Sequence, residues 1–315
     1  MRRNRQAFAQ VNTMKYWNSL TASEKAPCAV LLGKFDGLHL GHRSLLEAMN
    51  RYSAGLSKVI LAIDFGQDRQ GNLFTSEEKL RICGEAGLDV YYRVAFEDLR
   101  TMSAEAFIKE ILCERLGAKQ VYVGEDFRFG YERTGDVKLL KRICPEYGIE
   151  VFALPEVIVK DIRVSCTEIR RFVKEGRTAD IPELLGSSYF VSGETKQGRR
   201  LGRTISFPTL NLVPNAEKLL PPAGVYRTIT ETTGRFYPSI TNIGNNPTVC
   251  ADNPVTIETH LLETPKEELP YGVHIRVFFG EMLRGERKFA SLDELKEQIR
   301  KDIEFARKCK NPIYK

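Results

Sequence analysis

The chain predicts an α/β doubly wound parallel sheet followed by a small antiparallel β-barrel that ends in one helix. Three observations lead there. As far as about residue 183, apolar runs of strand length alternate with segments of helical period, the pattern of a parallel sheet with crossover helices. From Tyr189 onward that periodicity vanishes, and short strands separated by Gly, Pro and Asn turns take over. The stretch 291–308 is again amphipathic, with Asp293 and Glu294 in its first turn and Arg307 and Lys308 in its last, as the helix dipole favours. At 315 residues two domains are expected, 14–185 and 186–315, each large enough to bury a core without metal or disulfide staples.

Taken in order, residues 1–13 are polar and read as disordered, and Met14 opens the folded part. Residues 17–26 read as a short helix or turn capping the first strand. That strand is the aliphatic run Val30-Leu31-Leu32; glycines break it, and from Arg43 the spacing of Leu45, Leu46 and Met49 is that of an amphipathic helix. Further strands follow at 58–63, 90–94, 120–124 and 150–154, with helices at 76–84 (Ser76 as cap), 103–116 and 137–144. A helix to Lys174 closes this half, and right-handed crossovers place ligands beyond the carboxyl ends of the strands. The barrel strands read as 189–193, 207–213, 225–230, 236–243, 256–262 and 273–279.

Composition narrows the function. No stretch approaches the roughly 20 apolar residues that span a bilayer, and the basic N-terminus lacks the apolar core of a secretory signal. Seven cysteines without Cys-x-x-Cys spacing suit reduced packing thiols in a cytoplasmic protein and argue against zinc. The net charge of +6 suits anionic ligands such as nucleotides, but the basic residues are spread out without interleaved aromatics, so no specific nucleic-acid role is expected. The oligomeric state stays open.

The residues with chemistry begin after the first strand. His39 and His42 fall in the loop and at the helix mouth, where unpaired N–H groups and the helix dipole already favour an anion, so two imidazoles there would hold a phosphate. Gly37 and Gly41 let the backbone approach a ligand. A turn with two satisfied histidines is the bland alternative; both features after one strand favour the site. In the loop 124–130, Phe127 and Phe129 are either core plugs or, with Asp126, walls of a flat-ring or ribose pocket. Ser165 or Thr167 can cap the next helix, and Arg170 one turn in can reach phosphate oxygens, though a capped helix with a surface arginine is common.

In the second half the basic loop 193–203, with Gly193, Lys196, Gly198 and Arg203, either folds over phosphates or is a solvated turn. Thr209 and Asn211 share one face of an extended segment and offer two oxygens to a hard cation such as Mg²⁺, or are ordinary strand surface. Glu258 is an acid inside a strand-like run, with either a chemical task or an ion pair.

The segment Gly33-Lys34-Phe35-Asp36-Gly37-Leu38-His39-Leu40-Gly41-His42 resembles the signature of the nucleotidylyltransferase superfamily, and specifically of the prokaryotic bifunctional riboflavin kinase/FAD synthetase (FMN adenylyltransferase) family. The same family carries Gly-x-Asp-Phe-x-Phe-Gly, here from Gly124, and Ser-Ser/Thr-Thr-x-Ile-Arg, here Ser165 to Arg170 with Cys166 replacing Ser. Its kinase module is similar over about residues 186–310: the Gly193 to Arg203 loop, Phe207-Pro208-Thr209-Leu210-Asn211, Gly224-Val225-Tyr226, Asn242-Ile243-Gly244 with Pro247-Thr248, Glu258-Thr259-His260-Leu261 and Tyr271-Gly272.

The resemblance implies a Rossmann-like adenylyltransferase and a riboflavin kinase barrel. It implies riboflavin, FMN, FAD, ATP/ADP and pyrophosphate as ligands, with Mg²⁺. It further implies Glu258, His39, His42 and Arg170 in catalysis. Gly33, Phe35, Gly37, Gly41, Ser165, Thr167, Gly193, Lys196, Gly198 and Arg203 would lie about phosphate, Asp126, Phe127, Phe129 and Asn242 about flavin, and Thr209 and Asn211 on the metal. One departure stands out. Where the family has Thr-Phe-x-Pro-His-Pro, this chain has Asp64-Phe65-Gly66-Gln67-Asp68-Arg69, so an acid replaces a phosphate-side histidine. That weakens ATP binding or leans it on Mg²⁺, with Arg69 as a compensating charge. The expected alternatives are a kinase carrying a degenerate transferase domain, and a non-catalytic flavin-binding regulator.

Overall fold

The computed structural model describes residues 14–19, 26–66, 71–197, 207–245, 255–263, 271–309 and 312–313. The expected disorder of 1–13 lies outside them, as do Gln67, Asp68, Arg69, Gly198, Arg203, Pro247 and Thr248. The chain forms two compact units, Met1–Cys166 and Thr167–Lys315. Residues 167–185, expected to end the first domain, thus group with the second. Thr178 shows why: its hydroxyl donates to the Gly280 carbonyl of the barrel at 2.5 Å, and Ile181, Leu184 and Leu185 are buried beyond it.

The first unit is a wholly parallel sheet of β1 (Lys15–Trp17), β2 (Cys28–Gly33), β3 (Ser57–Asp64), β4 (Val90–Ala95), β5 (Ala118–Gly124) and β6 (Glu150–Leu154), in the order β1-β4-β3-β2-β5-β6. Its helices are α1 (Leu40–Tyr52), α2 (Ser76–Glu85), α3 (residues 104–115) and α4 (Val137–Ile143). Both faces of the sheet are covered. Val30 and Leu32 enter one apolar cluster with Ile108 and Val121, while Ala29 and Leu31 enter the other with Leu45, Met49 and Tyr122. Burial on both sides makes β2 an unbroken apolar run rather than an alternating one. The strand order reverses between β2 and β5, which opens a crevice beyond their carboxyl ends.

Four local features differ from expectation. Residues 15–17 are an unforeseen parallel edge strand on β4; three residues carry no readable period, and the free edge of β4 supplies their partners. Of the helix or turn expected over 17–26, residues 20–25 lie outside the described residues. Thr75, not Ser76, caps α2, in a reciprocal box: its hydroxyl accepts from Glu78 N–H (3.2 Å) and Glu78 accepts from Thr75 N–H (2.9 Å). Within α3, Phe107–Arg115 is wound as a π-helix, with Leu116 N–H donating to Ile111 O at 3.0 Å. A hairpin, β7 (Ile158–Val159) and β8 (Ile162–Arg163), turns through Lys160 and Asp161, both left-handed (φ 48° and 62°). Neither is Gly or Asn, the residues that mark such turns in a sequence.

Asp36 ties the glycine-rich loop down. Its buried carboxylate lies 3.0 Å from Lys79 Nζ and accepts from Leu73 N–H at 3.1 Å. Asp36→Ala strands both donors and is expected to cost about 3 kcal/mol of stability, read from denaturant unfolding. A change within about 0.5 kcal/mol would mean the loop does not depend on this anchor.

The second unit opens with α5 (Cys166–Lys174), whose first residue closes the first unit. A closed antiparallel barrel follows, in the order β10-β13-β12-β11-β14-β9. Its strands are β9 (Phe190–Lys196), β10 (Leu210–Leu212), β11 (Gly224–Thr232), β12 (Arg235–Asn245), β13 (Val255–Leu261) and β14 (His274–Gly285). Buried hydroxyls of Thr228, Thr230, Ser239, Thr241 and Thr259 form a chain with links of 2.8–2.9 Å, so these polar residues are fully partnered in the core. The last helix, α6 (Leu292–Lys308), begins where Ser291 accepts from Glu294 N–H at 3.1 Å. It packs Ile299, Ile303 and Ala306 with Val225 and Ile240 of the barrel wall.

Candidate active sites

In the first unit a cavity of about 410 Å³ opens at the reversal of strand order, lined by Gly33, His39, Gly41 and His42 on one side and by Asp126, Phe127 and Ser165 on the other. His39 caps α1, its Nδ1 accepting from His42 N–H at 3.4 Å, and the two imidazoles stack at 3.8 Å. His42 Nδ1 donates to the Gly37 carbonyl at 2.7 Å, and the Phe35 ring lies 4.6 Å from its own. A Cβ at Gly41 would press on the His39 ring at 3.1 Å, and one at Gly33 on the Phe35 ring at 3.1 Å, so both glycines leave these rings room. Phe35 is buried and left-handed (φ 43°), a strained backbone held by its packing. Phe35 and Gly37 thus shape and orient the histidines, and neither lines the cavity.

Both rings resist protonation. Burial, then the neighbouring His42, pulls His39 down to about 2. Burial pulls His42 down to about 4, against the Gly37 carbonyl and Asp126, which raise it. Between pH 6.5, the unfolded value, and about 4, the unfolded chain therefore binds protons that the folded chain refuses. The resulting stability is complete above pH 6.5 and is lost as pH falls. The melting temperature of the ligand-free protein is expected to drop steadily from pH 7 to 4, and less in a His39→Gln/His42→Gln double variant. An equal drop in both would remove the histidines from the cause.

The second loop divides its aromatics. Phe127 lines the cavity, whereas Phe129 is a core residue against Phe107 and lies behind Phe127 at 5.7 Å. Of the two sequence alternatives, Phe129 takes the core plug. Asp126 pairs with Arg163 at 2.5 Å, and Arg163 also reaches Glu156 at 2.7 Å. Ser165 lines the cavity from the position just before α5; Thr167, expected as a possible cap, lies inside the helix instead. Thr167 and the buried Arg170 belong to the second unit. Sequence reasoning missed Lys34, Arg128, Arg133 and Arg163 in this lining. Arg128 stood within the glycine-bounded loop already singled out and Arg133 just beyond it; the position of Arg163 depends on the unmarked hairpin.

In the barrel, register does the assembling. Lys196 pairs with Asn211, Asn211 with Glu258, Glu258 with Asn242, Asn242 with Val225, and Val225 with Arg284. Directly paired residues project to one face of a sheet. Because the alternate residues Thr241 and Thr259 point into the core, this row lies on the outer wall, under α6. There Val225, Asn242, Glu258 and Arg284 line a cavity of about 260 Å³ with Thr209, His260, Phe207 and Phe289, and with Leu295, Ile299 and Asp302 of α6. Asp302 holds Arg284 through Nε and Nη2, both at 3.0 Å, and His260 Nδ1 donates to Pro208 O at 2.9 Å.

Part of the expected basic loop is strand. Gly193 and Lys196 are strand residues of β9, and a Cβ at 193 would meet Leu212 at 2.8 Å, so this glycine serves strand packing. Arg284, Phe289 and Asp302 went unread because each acquires its place only through strand register and helix docking. Among the described residues no group of three or more His, Cys, Asp or Glu side chains could hold a metal ion. The neutral oxygens of Thr209 and Asn211 fit a hard cation held mainly by substrate phosphates.

The described cysteines are free thiols, and no described helix is long and apolar enough to cross a membrane. A riboflavin kinase family model matches residues 185–310, and an FAD synthetase family model matches residues 21–168. The bifunctional riboflavin kinase/FMN adenylyltransferase of Escherichia coli (strain K12) is 34% identical over 302 residues, covering 92% of this chain and 95% of its own. The protein of the same name from Pseudomonas fluorescens is 31% identical over 92% of this chain and 95% of its own. A crystal structure described as a macrolide-efflux protein from Streptococcus pneumoniae superposes with a TM-score of 0.83 at 24% identity, covering 94% of this chain and 99% of that one, a likeness of fold. With one cavity at a helix mouth, another on a barrel wall, and both family models matched in that order, the chain belongs to the bifunctional riboflavin kinase/FMN adenylyltransferase family.

Proposed function

We propose that this chain is a cytoplasmic enzyme that converts riboflavin to FMN in its barrel unit and FMN to FAD in its sheet unit, with ATP as co-substrate of both steps and Mg²⁺ as the metal. The observation that carries the reading is the barrel row, in which a half-buried carboxylate, Glu258, stands between two amides inside a cavity walled by apolar and aromatic groups. A flat ring fits the wall of Val225, Ile299 and Phe289, with Asn242 at its polar edge. Glu258 takes the proton of the ribityl 5′-hydroxyl as that oxygen attacks the γ-phosphorus of ATP and ADP departs. Thr209 and Asn211 would hold Mg²⁺, which when bound neutralises phosphate charge. Lys196, at the end of the row, would reach the phosphates.

In the sheet unit a phosphate oxygen of FMN attacks the α-phosphorus of ATP, the bond to pyrophosphate breaks, and no covalent enzyme intermediate is required. His39, His42 and the α1 N–H groups stabilise the developing charge; Ser165 acts on the phosphates that leave, and Asp126 and Phe127 border the flavin. The test is chromatography of flavin products from purified protein with riboflavin, ATP and Mg²⁺, and FAD is the expected end product. FMN accumulating without FAD would mean a kinase with a degenerate transferase unit. No ATP consumption on adding riboflavin would mean a flavin-binding regulator.

A further inference from the structure

The two stacked histidines of the sheet unit are not equivalent. His39 Nδ1 accepts the His42 N–H that begins α1, so a neutral His39 carries its proton on Nε2 and presents a donor. His42 is the reverse: Nδ1–H is committed to the Gly37 carbonyl, so a neutral His42 has a bare Nε2. A bare nitrogen repels a phosphate oxygen. For both rings to donate to one polyphosphate, a proton has to be added, and only one position takes it without loss. Protonating His39 at Nδ1 would break the cap that starts α1. Protonating His42 at Nε2 keeps every existing hydrogen bond. The stack at 3.8 Å disfavours a second charge.

The groups around His42 act in the same direction. Lys34, Arg128, Arg133 and Arg163 line the cavity against two acids, Asp126 and Glu156, and both acids are engaged by Arg163. Without an anion burial disfavours an imidazolium here, against the Gly37 carbonyl and Asp126; a bound polyphosphate reverses the balance. We propose that nucleotide binding in this cavity takes up one proton from solvent, onto Nε2 of His42, while His39 stays neutral. This rests on the transfer reading above and adds the protonation state of the competent complex.

The chain has four histidines, so ¹⁵N-labelled imidazoles report every site, assigned by single His→Gln variants. The probe is full-length protein at pH 7.5 with Mg²⁺ and a non-cleavable α,β-methylene analogue of ATP. His42 Nε2 is expected to change from bare to protonated on binding, with His39 Nδ1 still unprotonated. The analogue's affinity for this cavity should weaken by up to tenfold per pH unit between the His42 pKa of the free protein and that of the complex and level off above the latter, and this slope should vanish in His42→Gln. A bound analogue that shifts both rings yet leaves His42 neutral, or protonates His39 instead, overturns the proposal alone. An analogue that disturbs neither His39 nor His42 overturns the transfer reading with it.

Discussion

Glu258→Gln is expected to lower FMN formation by about a thousandfold, the scale of losing a general base, while ATP binding persists and FAD is still made from added FMN. Glutamine keeps the size and hydrogen-bonding reach of the side chain and removes its basicity. Asn211 and Asn242, its partners in register, accommodate a third amide at this position. A role as half of an ion pair makes a different forecast, namely lower stability with turnover nearly intact. Initial rates with riboflavin, beside an unfolding curve, separate the two. Near-normal turnover removes Glu258 from the chemistry.

His39→Ala is expected to lower FAD formation from FMN by about a hundredfold to a thousandfold, as losing one preorganised donor to a developing oxyanion does, without slowing FMN formation. It also removes the cap of α1, worth about 1 kcal/mol. His39→Asn separates the two effects. Asparagine caps well, so the stability should return while FAD formation stays low. Recovery of activity by asparagine would make the ring a helix cap and nothing more.

Much of this was legible in the sequence because it is local. The uninterrupted β2 run, the glycine loop with both histidines and the capped terminal helix are each written in fewer than about twenty consecutive residues, and each came out as expected. Errors fell where the signal was short or the residue type unusual: the three-residue edge strand, the cap shifted from Ser76 to Thr75, and a hairpin turning on Lys160 and Asp161.

The sequence by itself determined the order of the two folds, the helix mouth with its imidazoles, and the acid and amides of the barrel as isolated candidates. Only the tertiary structure decided which of them meet. Strand register set Lys196, Asn211, Glu258 and Asn242 in one row, and docking of α6 roofed that row with Asp302 and brought Arg284 into its wall. Packing sent Phe129 to the core and left Phe127 at the cavity. The reason is physical: capping and periodicity act over one or two turns of chain, whereas the face a strand residue presents depends on partners many residues away.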